Sequence, residues 1–385
     1  MSDHPLIYLD NAATSYPKPE VVYQAVMHAM CDVGASPGRG GYRRSLEASR
    51  ILYRTREAAA ELFSIQDSSR IIFTHSATES LNMALRGVLN EGDHVVTTSM
   101  EHNSLLRPLY AHQKQGGGLT IVPAGTDGLV DPDDIRRALT GRTRLIALGH
   151  ISNVCGAIQP VDEIAAIARQ AGALFLLDAA QSAGNERIDV STTGIDLMAM
   201  PGHKGLLGPQ GTGLLYVAPQ VKLRPLLYGG TGTHARTEDQ PDIMPDGFEA
   251  GTHNLPGIAG LGAGIGYILE RGVDAIAGHE RGLIQECVRR LTGHPGIHLH
   301  GPNDPSRRGS VLSLTFDAID PGQLAGRLDH EYTIAVRSGL HCAPLAHTTI
   351  GTFPHGTLRV SPGLFSTGED VAMFCDAVIR CLQTV

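Results

Sequence analysis

The chain has 385 residues, of which 42% are hydrophobic and 18% charged, and its formal net charge is −8. This is the composition of an ordinary soluble globular protein, and the length suits one large domain with a smaller one. The negative charge gives no reason to expect a nucleic-acid partner, and no apolar run approaches the roughly 20 residues that a membrane span requires.

The amino-terminal residues lack the basic and apolar regions of an export signal. The six cysteines are scattered along the chain without a CxxC pair, so the sequence predicts a cytoplasmic protein with reduced thiols rather than a disulfide framework. HExxH, zinc-spaced Cys/His pairs and GxSxG are also absent from the sequence. We therefore expect neither a catalytic metal nor a Ser-His-Asp hydrolase.

Short apolar runs alternate with helical patterns through the first half of the chain. The predicted strands are 70–74, 94–98, 119–122, 144–148, 174–178, 196–200 and 213–217, and the predicted helices are 20–31, 46–63, 79–89, 132–139 and 161–171. This alternation indicates an α/β fold with a mostly parallel seven-stranded sheet covered by helices. In such a sheet ligands collect at the carboxyl ends of the strands.

A polar, glycine-rich stretch at 229–251 indicates a long loop or lid, and a helical pattern resumes at 255–270. Strand and helix signals then continue from residue 296 to the end of the chain. We predict a large domain over residues 17–255. Residues 1–16 and 256–385 are predicted to form a smaller α+β domain.

The segment Ser76-Ala77-Thr78-Glu79-Ser80 lies where a predicted strand passes into a helix. N–H groups and hydroxyls at a helix N-terminus form a ready anion site, which suits a phosphate. The same residue types are also ordinary helix caps. Further on, His102 follows another strand end, where a histidine can stack on an aromatic ring and relay protons or can be a loop residue without a role.

Asp178 ends a strongly apolar strand, and Lys204 follows another inside Gly202-His203-Lys204-Gly205. A lysine amine forms a Schiff base with the aldehyde of pyridoxal phosphate (PLP), and a carboxylate keeps the ring nitrogen of PLP protonated. Asp178 can alternatively cap the next helix. Gln181 can contact the phenolic oxygen of such a ring and His203 its phosphate, so this constellation predicts PLP as the cofactor.

Cys342 lies in Arg337-Ser338-Gly339-Leu340-His341-Cys342-Ala343, close to basic side chains. Nearby positive charge raises the thiolate fraction of a cysteine and makes it reactive. A buried structural cysteine is the alternative, as expected for Cys375 and Cys381. Arg359 can bind a substrate carboxylate bidentately or take part in a surface ion pair.

Taken together, these residues resemble the class V aminotransferase family of fold-type I PLP enzymes. They are most similar to its cysteine desulfurases and selenocysteine lyases of the second, SufS-type group. The motifs that carry the resemblance follow in the family's order along nearly the whole chain: Tyr8-Leu9-Asp10-Asn11-Ala12-Ala13, Thr78-Glu79, Met100-Glu101-His102, His150-Ile151-Ser152-Asn153, Asp178-Ala179-Ala180-Gln181, Gly202-His203-Lys204, Phe248-Glu249-Ala250-Gly251-Thr252 and the loop of Cys342.

The resemblance implies a role for each matching residue. Lys204 holds the cofactor covalently, and His102 stacks on its ring. Asp178 pairs with the ring nitrogen, while Gln181 contacts the phenolic oxygen. The remaining assignments are phosphate binding at the turn of Ala77 and Thr78 and at His203, substrate carboxylate binding by Asn153 and Arg359, and a contact of Thr252 with the neighbouring subunit's cofactor, which implies a homodimer.

The implied reaction converts L-cysteine to L-alanine, and Cys342 takes the sulfur as a persulfide for an acceptor protein or small thiol. Iron–sulfur cluster assembly is one pathway that such sulfur serves. A selenocysteine lyase acting on L-selenocysteine, an aminotransferase, an epimerase, a β-lyase and a low-turnover sulfur-relay partner remain as alternatives. The sequence departs from the family pattern at Pro201 and Ala77, where hydroxyl residues that help to bind phosphate are common; proline has neither a hydroxyl nor an N–H.

Overall fold

The computed structural model describes residues 6–38, 40–232 and 238–384. Its strands are β1 Ile7–Tyr8, β2 Ile71–Thr74, β3 His94–Thr98, β4 Gly118–Val122, β5 Thr143–Gly149, β6 Leu174–Asp178, β7 Leu197–Pro201, β8 Gly213–Val217, β9 Ile297–His300, β10 Leu312–Phe316, β11 Ile334–Ala335, β12 Arg337–Gly339 and β13 Thr357–Val360. Its α-helices are α1 Glu20–His28, α2 Arg43–Leu62, α3 Ala77–Val88, α4 Asn103–Lys114, α5 Pro132–Arg137, α6 Val161–Gln170, α7 Val190–Thr193, α8 Leu255–Arg271, α9 Val273–Leu291, α10 Pro321–Tyr332, α11 Pro344–Thr349 and α12 Gly368–Gln383.

The large sheet has seven strands in the order β2-β8-β7-β6-β5-β3-β4. β8 is antiparallel to both of its neighbours, and the other pairings are parallel. β2, β3, β7 and β8 are buried along their whole length, as expected for a sheet covered on both faces. The mostly parallel seven-stranded sheet predicted from the sequence is confirmed, with each predicted strand within one residue of an observed one.

The smaller part of the structure is built on an antiparallel sheet in the order β12-β13-β10-β9. The short β1 pairs in parallel with β11 there, so the amino-terminal segment joins this part of the fold. Its hydrophobic core includes Ile7 and Leu9 together with side chains of α9, α10 and α12. Cys375 and Cys381 are fully buried in this core, as expected from the sequence.

The helix that follows the predicted domain boundary at residue 255 belongs to the core of the large sheet. α8 packs against α1 and α2, and its buried side chains, among them Ile258, Leu261 and Ile265, lie in the same hydrophobic cluster as the sheet. That cluster extends to Ile276 in α9. The division at residues 255 and 256 stays a prediction, and the packing of α8 places the change of core later in the chain.

Several helices were not predicted individually. α4 contains Pro108, and α9 contains Gly278 and Gly282; both residue types weaken a helical pattern in sequence. The predicted loop at 229–251 has only the 3-10 turn Asp246–Phe248 in its described part, and residues 233–237 lie outside the described residues. None of the helices described is both long and apolar enough to cross a membrane.

Candidate active site

A cavity of about 250 Å³ lies at one edge of the large sheet. Most of its lining residues lie at or just after the carboxyl ends of five strands: 76–78 for β2, 100–102 and 104 for β3, 149 and 151–153 for β5, 178, 180 and 181 for β6, and 201, 203 and 204 for β7. These five strands run in the same direction, so their carboxyl ends meet at this edge. The structure thereby brings together residues that are far apart in sequence, at the position where ligands of such sheets bind.

Eight of the predicted site residues line this cavity: Ala77, Thr78, His102, Asn153, Asp178, Gln181, His203 and Lys204. Three others do not line it. Arg359 is buried behind the cavity wall, whereas Cys342 and Thr252 are exposed. The cavity therefore contains the predicted cofactor residues other than Thr252, and the predicted sulfur acceptor lies outside it.

Lys204 lies in a compact turn between β7 and β8. A Cβ atom on Gly202 would lie 2.1 Å from Oγ1 of Thr212, and one on Gly205 would lie 2.4 Å from the carbonyl oxygen of Ala183. Both positions therefore require glycine for the chain to pass so closely. Burial, reinforced by the positive charge of Arg359, lowers the pKa of Lys204 to about 8, while Asp178 acts in the opposite direction. A lysine of this kind is partly neutral near physiological pH and is a competent nucleophile.

Asp178 is buried at the end of β6, and its Oδ1 accepts a hydrogen bond of 3.0 Å from the backbone N–H of Ala180. Burial raises the pKa of Asp178, and the charge of Lys204 acts against that rise. A buried carboxylate without a full counter-charge is stabilised by a cationic ligand. The geometry thus suits a protonated ring nitrogen next to Asp178.

His102 caps the N-terminus of α4. Its Nδ1 accepts a hydrogen bond of 3.0 Å from the backbone N–H of Ser104, so the proton of the neutral ring resides on Nε2. Burial, followed by the charge of Lys204, lowers the pKa of His102 to about 4. At neutral pH the ring is uncharged, which favours stacking on another ring.

The N-terminus of α3 provides the anion-binding corner of the cavity. Ser76 caps this 12-residue helix by accepting from the N–H of Glu79, and Ala77 and Thr78 line the cavity. His203 adds a buried Nδ1 that has no hydrogen-bond partner in the described part of the chain. Pro201 lines the same cavity and offers no donor.

Arg359 projects from β13 and is 1% exposed. Its Nη2 donates to Oδ1 of Asp10 at 2.6 Å and its Nη1 to the carbonyl oxygen of Asn153 at 3.0 Å. Its Nε has no hydrogen-bond partner within the described residues. The guanidinium therefore has an unused donor and lies behind the wall that Asn153 forms.

Cys342 lies in the loop between β12 and α11. His341 and Cys342 both have left-handed backbone conformations, with φ of 47° and 58°, which turns the chain sharply and leaves the thiol exposed. Two hydrogen bonds of 2.8 Å join this loop to the cavity wall: the backbone N–H of Asn103 donates to the carbonyl oxygen of Cys342, and Nδ2 of Asn153 donates to that of His341. The loop thus borders the cavity.

Glu101 is a cavity residue to which the sequence reasoning gave no role. It is buried, and it accepts from Oγ1 of Thr98 at 2.5 Å and from the N–H of Gly149 at 2.8 Å. Burial raises its pKa to about 8, so a neutral acid lies beside Asp178. The sequence signal that could have identified Glu101 is an acidic residue that follows a buried strand and precedes His102. The described residues contain no cluster of His, Cys, Asp or Glu that could hold a metal ion.

Comparison with known proteins gives matches along nearly the whole chain. The family described as aminotransferase class V matches residues 7–374. A probable cysteine desulfurase of Methanothermobacter thermautotrophicus is 37% identical over 97% of this chain and 93% of its own length. Among solved structures, the apo cysteine desulfurase of Thermococcus onnurineus has a TM-score of 0.93 at 32% identity, covering 99% of this chain and 95% of its own. The cysteine desulfurase CsdA of Escherichia coli has a TM-score of 0.89 at 30% identity, with coverage of 99% and 95%.

The chain belongs to the class V aminotransferase family. Enzymes of this family depend on PLP, and the cavity fits that cofactor. It offers a lysine of lowered pKa, a buried carboxylate, a helix N-terminus for an anion and an unpartnered Nδ1 of His203. The resemblance to this family seen in the sequence is confirmed.

Proposed function

We propose that this chain is a PLP-dependent cysteine desulfurase that converts L-cysteine to L-alanine and takes the sulfur on Cys342. The observation that carries the proposal is the position of the Cys342 loop. An exposed thiol follows directly on a residue whose carbonyl oxygen is held at 2.8 Å by Asn153, a cavity residue. Relatives and structural neighbours that align over nearly the whole chain bear the name cysteine desulfurase.

In this proposal the cavity residues hold the cofactor at both of its ends. Lys204 forms the covalent link, and Asp178 pairs with the ring nitrogen. His102 stacks on the ring, while Gln181 contacts the phenolic oxygen. The anionic end is bound by the α3 N-terminus at Ala77 and Thr78 and by His203. The burial of Asp178 and the unpartnered Nδ1 of His203 support these assignments.

The substrate carboxylate is proposed to bind between Asn153 and Arg359. The free Nε of Arg359 and its buried charge support this assignment, since charge-assisted hydrogen bonds to carboxylates are the strong ones. Binding requires the guanidinium to exchange part of its contact with Asp10 or with the carbonyl oxygen of Asn153. Asp10 thus holds the arginine in place before substrate arrives.

When bound, PLP supplies an electron sink that makes the Cα proton of the substrate acidic. Lys204, with a pKa of about 8, can accept that proton at Nζ and return it. His102 has a pKa of about 4 and serves as a neutral stacking partner whose Nε2–H can donate. The carboxyl groups of Asp178 and Glu101 stay inside the cavity wall, away from bulk water.

The sulfur transfer conserves atoms and electrons without a further reagent. The thiolate of Cys342 attacks the sulfur of the substrate, a sulfur–sulfur bond forms and the carbon–sulfur bond breaks. The electron pair of the broken bond remains on the substrate carbon, which is protonated to give L-alanine. Cys342 is left as a persulfide. Its exposure supports delivery to an acceptor, either a protein or a small thiol.

A homodimer is proposed from the exposed apolar side chains of the helices that pack on α8. α1, the π-helix Ala29–Val33 and α2 expose Tyr23, Met27, Met30, Leu46 and Tyr53. Apolar surface of this kind is typical of an interface between protein chains. Thr252 is exposed and so is available to a neighbouring subunit's cofactor. Sedimentation at increasing protein concentration tests this: a dimer is expected, and a monomer throughout would contradict it.

The RSGLHCA loop supports assignment to the second, SufS-type group of desulfurases. Six free cysteines support a reducing compartment such as the cytoplasm, and iron–sulfur cluster assembly is the proposed destination of the sulfur.

Product analysis tests the reaction class. L-alanine from L-cysteine is expected. Turnover of L-selenocysteine alone, or amino transfer to a 2-oxo acid, would replace the proposal by a selenocysteine lyase or an aminotransferase.

A further inference from the structure

The turn that carries Lys204 is held from outside the cavity by a short segment, residues 14–18, near the amino terminus. Four donors of this segment lie within hydrogen-bond distance of the carbonyl oxygen of His203. They are the N–H of Ser15 at 3.1 Å, Oγ1 of Thr14 at 3.1 Å, Oγ of Ser15 at 3.2 Å and Nζ of Lys18 at 2.9 Å. Oγ of Ser15 also reaches the carbonyl oxygen of Lys204 at 2.9 Å.

Lys18 is the charged member of this cluster. Its Nζ donates to Oγ of Ser15 at 2.7 Å and to the carbonyl oxygen of His203 at 2.9 Å, and no carboxylate pairs with it among the residues described. Burial lowers its pKa to about 8. Burying an ammonium without a counter-charge costs free energy. The hydrogen bonds that Lys18 donates to Ser15 and to the carbonyl oxygen of His203 therefore explain its position.

The ammonium also fixes the direction of the Ser15 hydroxyl. A lysine ammonium has three donors and no acceptor, so Ser15 must accept from Lys18 and donate its single hydrogen onward. The shorter onward contact is the one to the carbonyl oxygen of Lys204, at 2.9 Å against 3.2 Å for His203. Lys18, Ser15 and the main chain of Lys204 therefore form a directed chain of hydrogen bonds.

The same segment is anchored to the other side of the site. The hydroxyl of Tyr8 donates to the carbonyl oxygen of Thr14 at 3.0 Å, and the partly buried Asp10 forms an ion pair with the buried Arg359. Residues 8–18 thus connect the proposed substrate arginine to the turn of the proposed cofactor lysine.

We propose that Lys18 is a positioning residue, which through Ser15 holds the main chain of Lys204 in the orientation that presents its amine to the cofactor aldehyde. The inference rests on the proposed role of Lys204, and it adds a second lysine that acts without touching the cofactor. Lys18 acts on the geometry of the main chain, because its ammonium donates to the hydroxyl of Ser15 and to the carbonyl oxygen of His203.

The test follows the rate at which PLP links to Lys204, measured by visible absorbance after the full-length chain has been freed of cofactor by dialysis. Lys18→Met and Ser15→Ala should each slow this rate by about tenfold, the effect of losing one charge-assisted hydrogen bond. Lys18→Met with Ser15→Ala together should be no slower than the slower single variant, since both break the same chain. Lys18→Arg, which keeps donors for both acceptors, should retain most of the rate.

The exposed Lys222 provides the control, and Lys222→Met should leave the rate unchanged. Thermal unfolding of each variant distinguishes a chain that does not fold from a folded chain in which the main chain of Lys204 is displaced. If Lys18→Met does not fold, Ser15→Ala alone tests the inference. Unchanged rates in both single variants, or effects that add in the double variant, would overturn the inference. Because the assay contains no cysteine, its result is independent of whether L-cysteine is the substrate.

Discussion

The side-chain amide of Asn153 donates a hydrogen bond of 2.8 Å to the carbonyl oxygen of His341, the residue that precedes Cys342. This bond crosses from the large sheet to the smaller part of the fold. The main-chain oxygen of Asn153 at the same time accepts from Arg359 at 3.0 Å. Asn153 thus contacts the proposed substrate arginine and the cysteine loop while it lines the cofactor cavity.

The lowered pKa of Lys204 predicts how stability depends on pH in the cofactor-free protein. The folded state loses this proton near pH 8, whereas the unfolded chain keeps it to about 10.5. Between these values the unfolded state binds more protons, so the free energy of unfolding rises with pH. Below about pH 8 both states are protonated, and Lys204 contributes no slope.

Denaturant unfolding of wild type and Lys204→Met at pH 7 and pH 10 measures this effect. Between pH 7 and pH 10 the free energy of unfolding of the wild type should rise by about 2–3 kcal/mol relative to that of the variant. Comparing the two proteins cancels the contribution of Lys18, whose pKa is lowered in the same direction. A difference that does not change with pH would show that Lys204 is not desolvated.

Replacing Asp178 separates cofactor binding from catalysis. Asp178→Asn keeps the shape of the side chain but loses the negative charge at the end of β6. Turnover should fall by about 10²–10⁴-fold, as for loss of a group that acts on protons in the transition state, while the bound cofactor remains visible by absorbance. Full turnover with the asparagine would exclude pairing of Asp178 with the ring nitrogen.

The phosphate corner can be tested with two forms of the cofactor. His203→Ala should raise the dissociation constant of PLP about tenfold, since a hydrogen bond to a charged group is lost. Pyridoxal, which lacks the phosphate, should bind the variant and the wild type alike. Equal weakening for both forms would place His203 elsewhere than at the phosphate.

Pro201 lines the same corner without a donor. Pro201→Ser is therefore expected to lower the dissociation constant of PLP, whereas His203→Ala is expected to raise it. A serine hydroxyl there should tighten PLP about fivefold, the effect of one added hydrogen bond of about 1 kcal/mol. Pyridoxal again provides the comparison.

Arg359→Lys tests the proposed carboxylate site while keeping the charge. Lysine cannot reproduce the planar fork of donors that reaches Asp10 and Asn153. KM for L-cysteine should rise by about 10–100-fold with a smaller change in kcat. Arg308→Lys is the matched control, because Arg308 is also buried but its side chain donates, among the described residues, to the main-chain carbonyl groups of His300 and Pro302. Similar kinetics in both variants would argue against a substrate contact.

The large sheet was predictable because its strands are continuous apolar runs bounded by polar turns, as in 174–178 and 213–217. Convergence of Thr78, Asp178 and Lys204 followed from the rule that strand ends of parallel sheets share an edge. α9 was harder to predict because Gly278 and Gly282 interrupt its pattern, whereas in the folded chain α9 packs against α12 and α8.

The parts that sequence could not supply depend on contacts between distant segments. Arg359 pairs with Asp10, which lies 349 residues away in sequence, and no local pattern around either residue announces this contact. The left-handed backbone at His341 and Cys342 is equally hidden, since this conformation is uncommon for residues other than glycine. The burial of Lys18 against the carbonyl oxygen of His203 likewise emerges only from the folded chain.

The central claim is that Cys342 takes the sulfur, and the six cysteines offer an internal control. Cys31 and Cys342 are exposed, and the other four are buried. The most direct measurement is L-alanine released from L-cysteine in the presence of a reductant, together with the persulfide found by mass spectrometry, for wild type, Cys342→Ala and Cys31→Ala. We expect alanine and persulfide from wild type and Cys31→Ala and neither from Cys342→Ala; equal alanine from all three proteins would contradict the account.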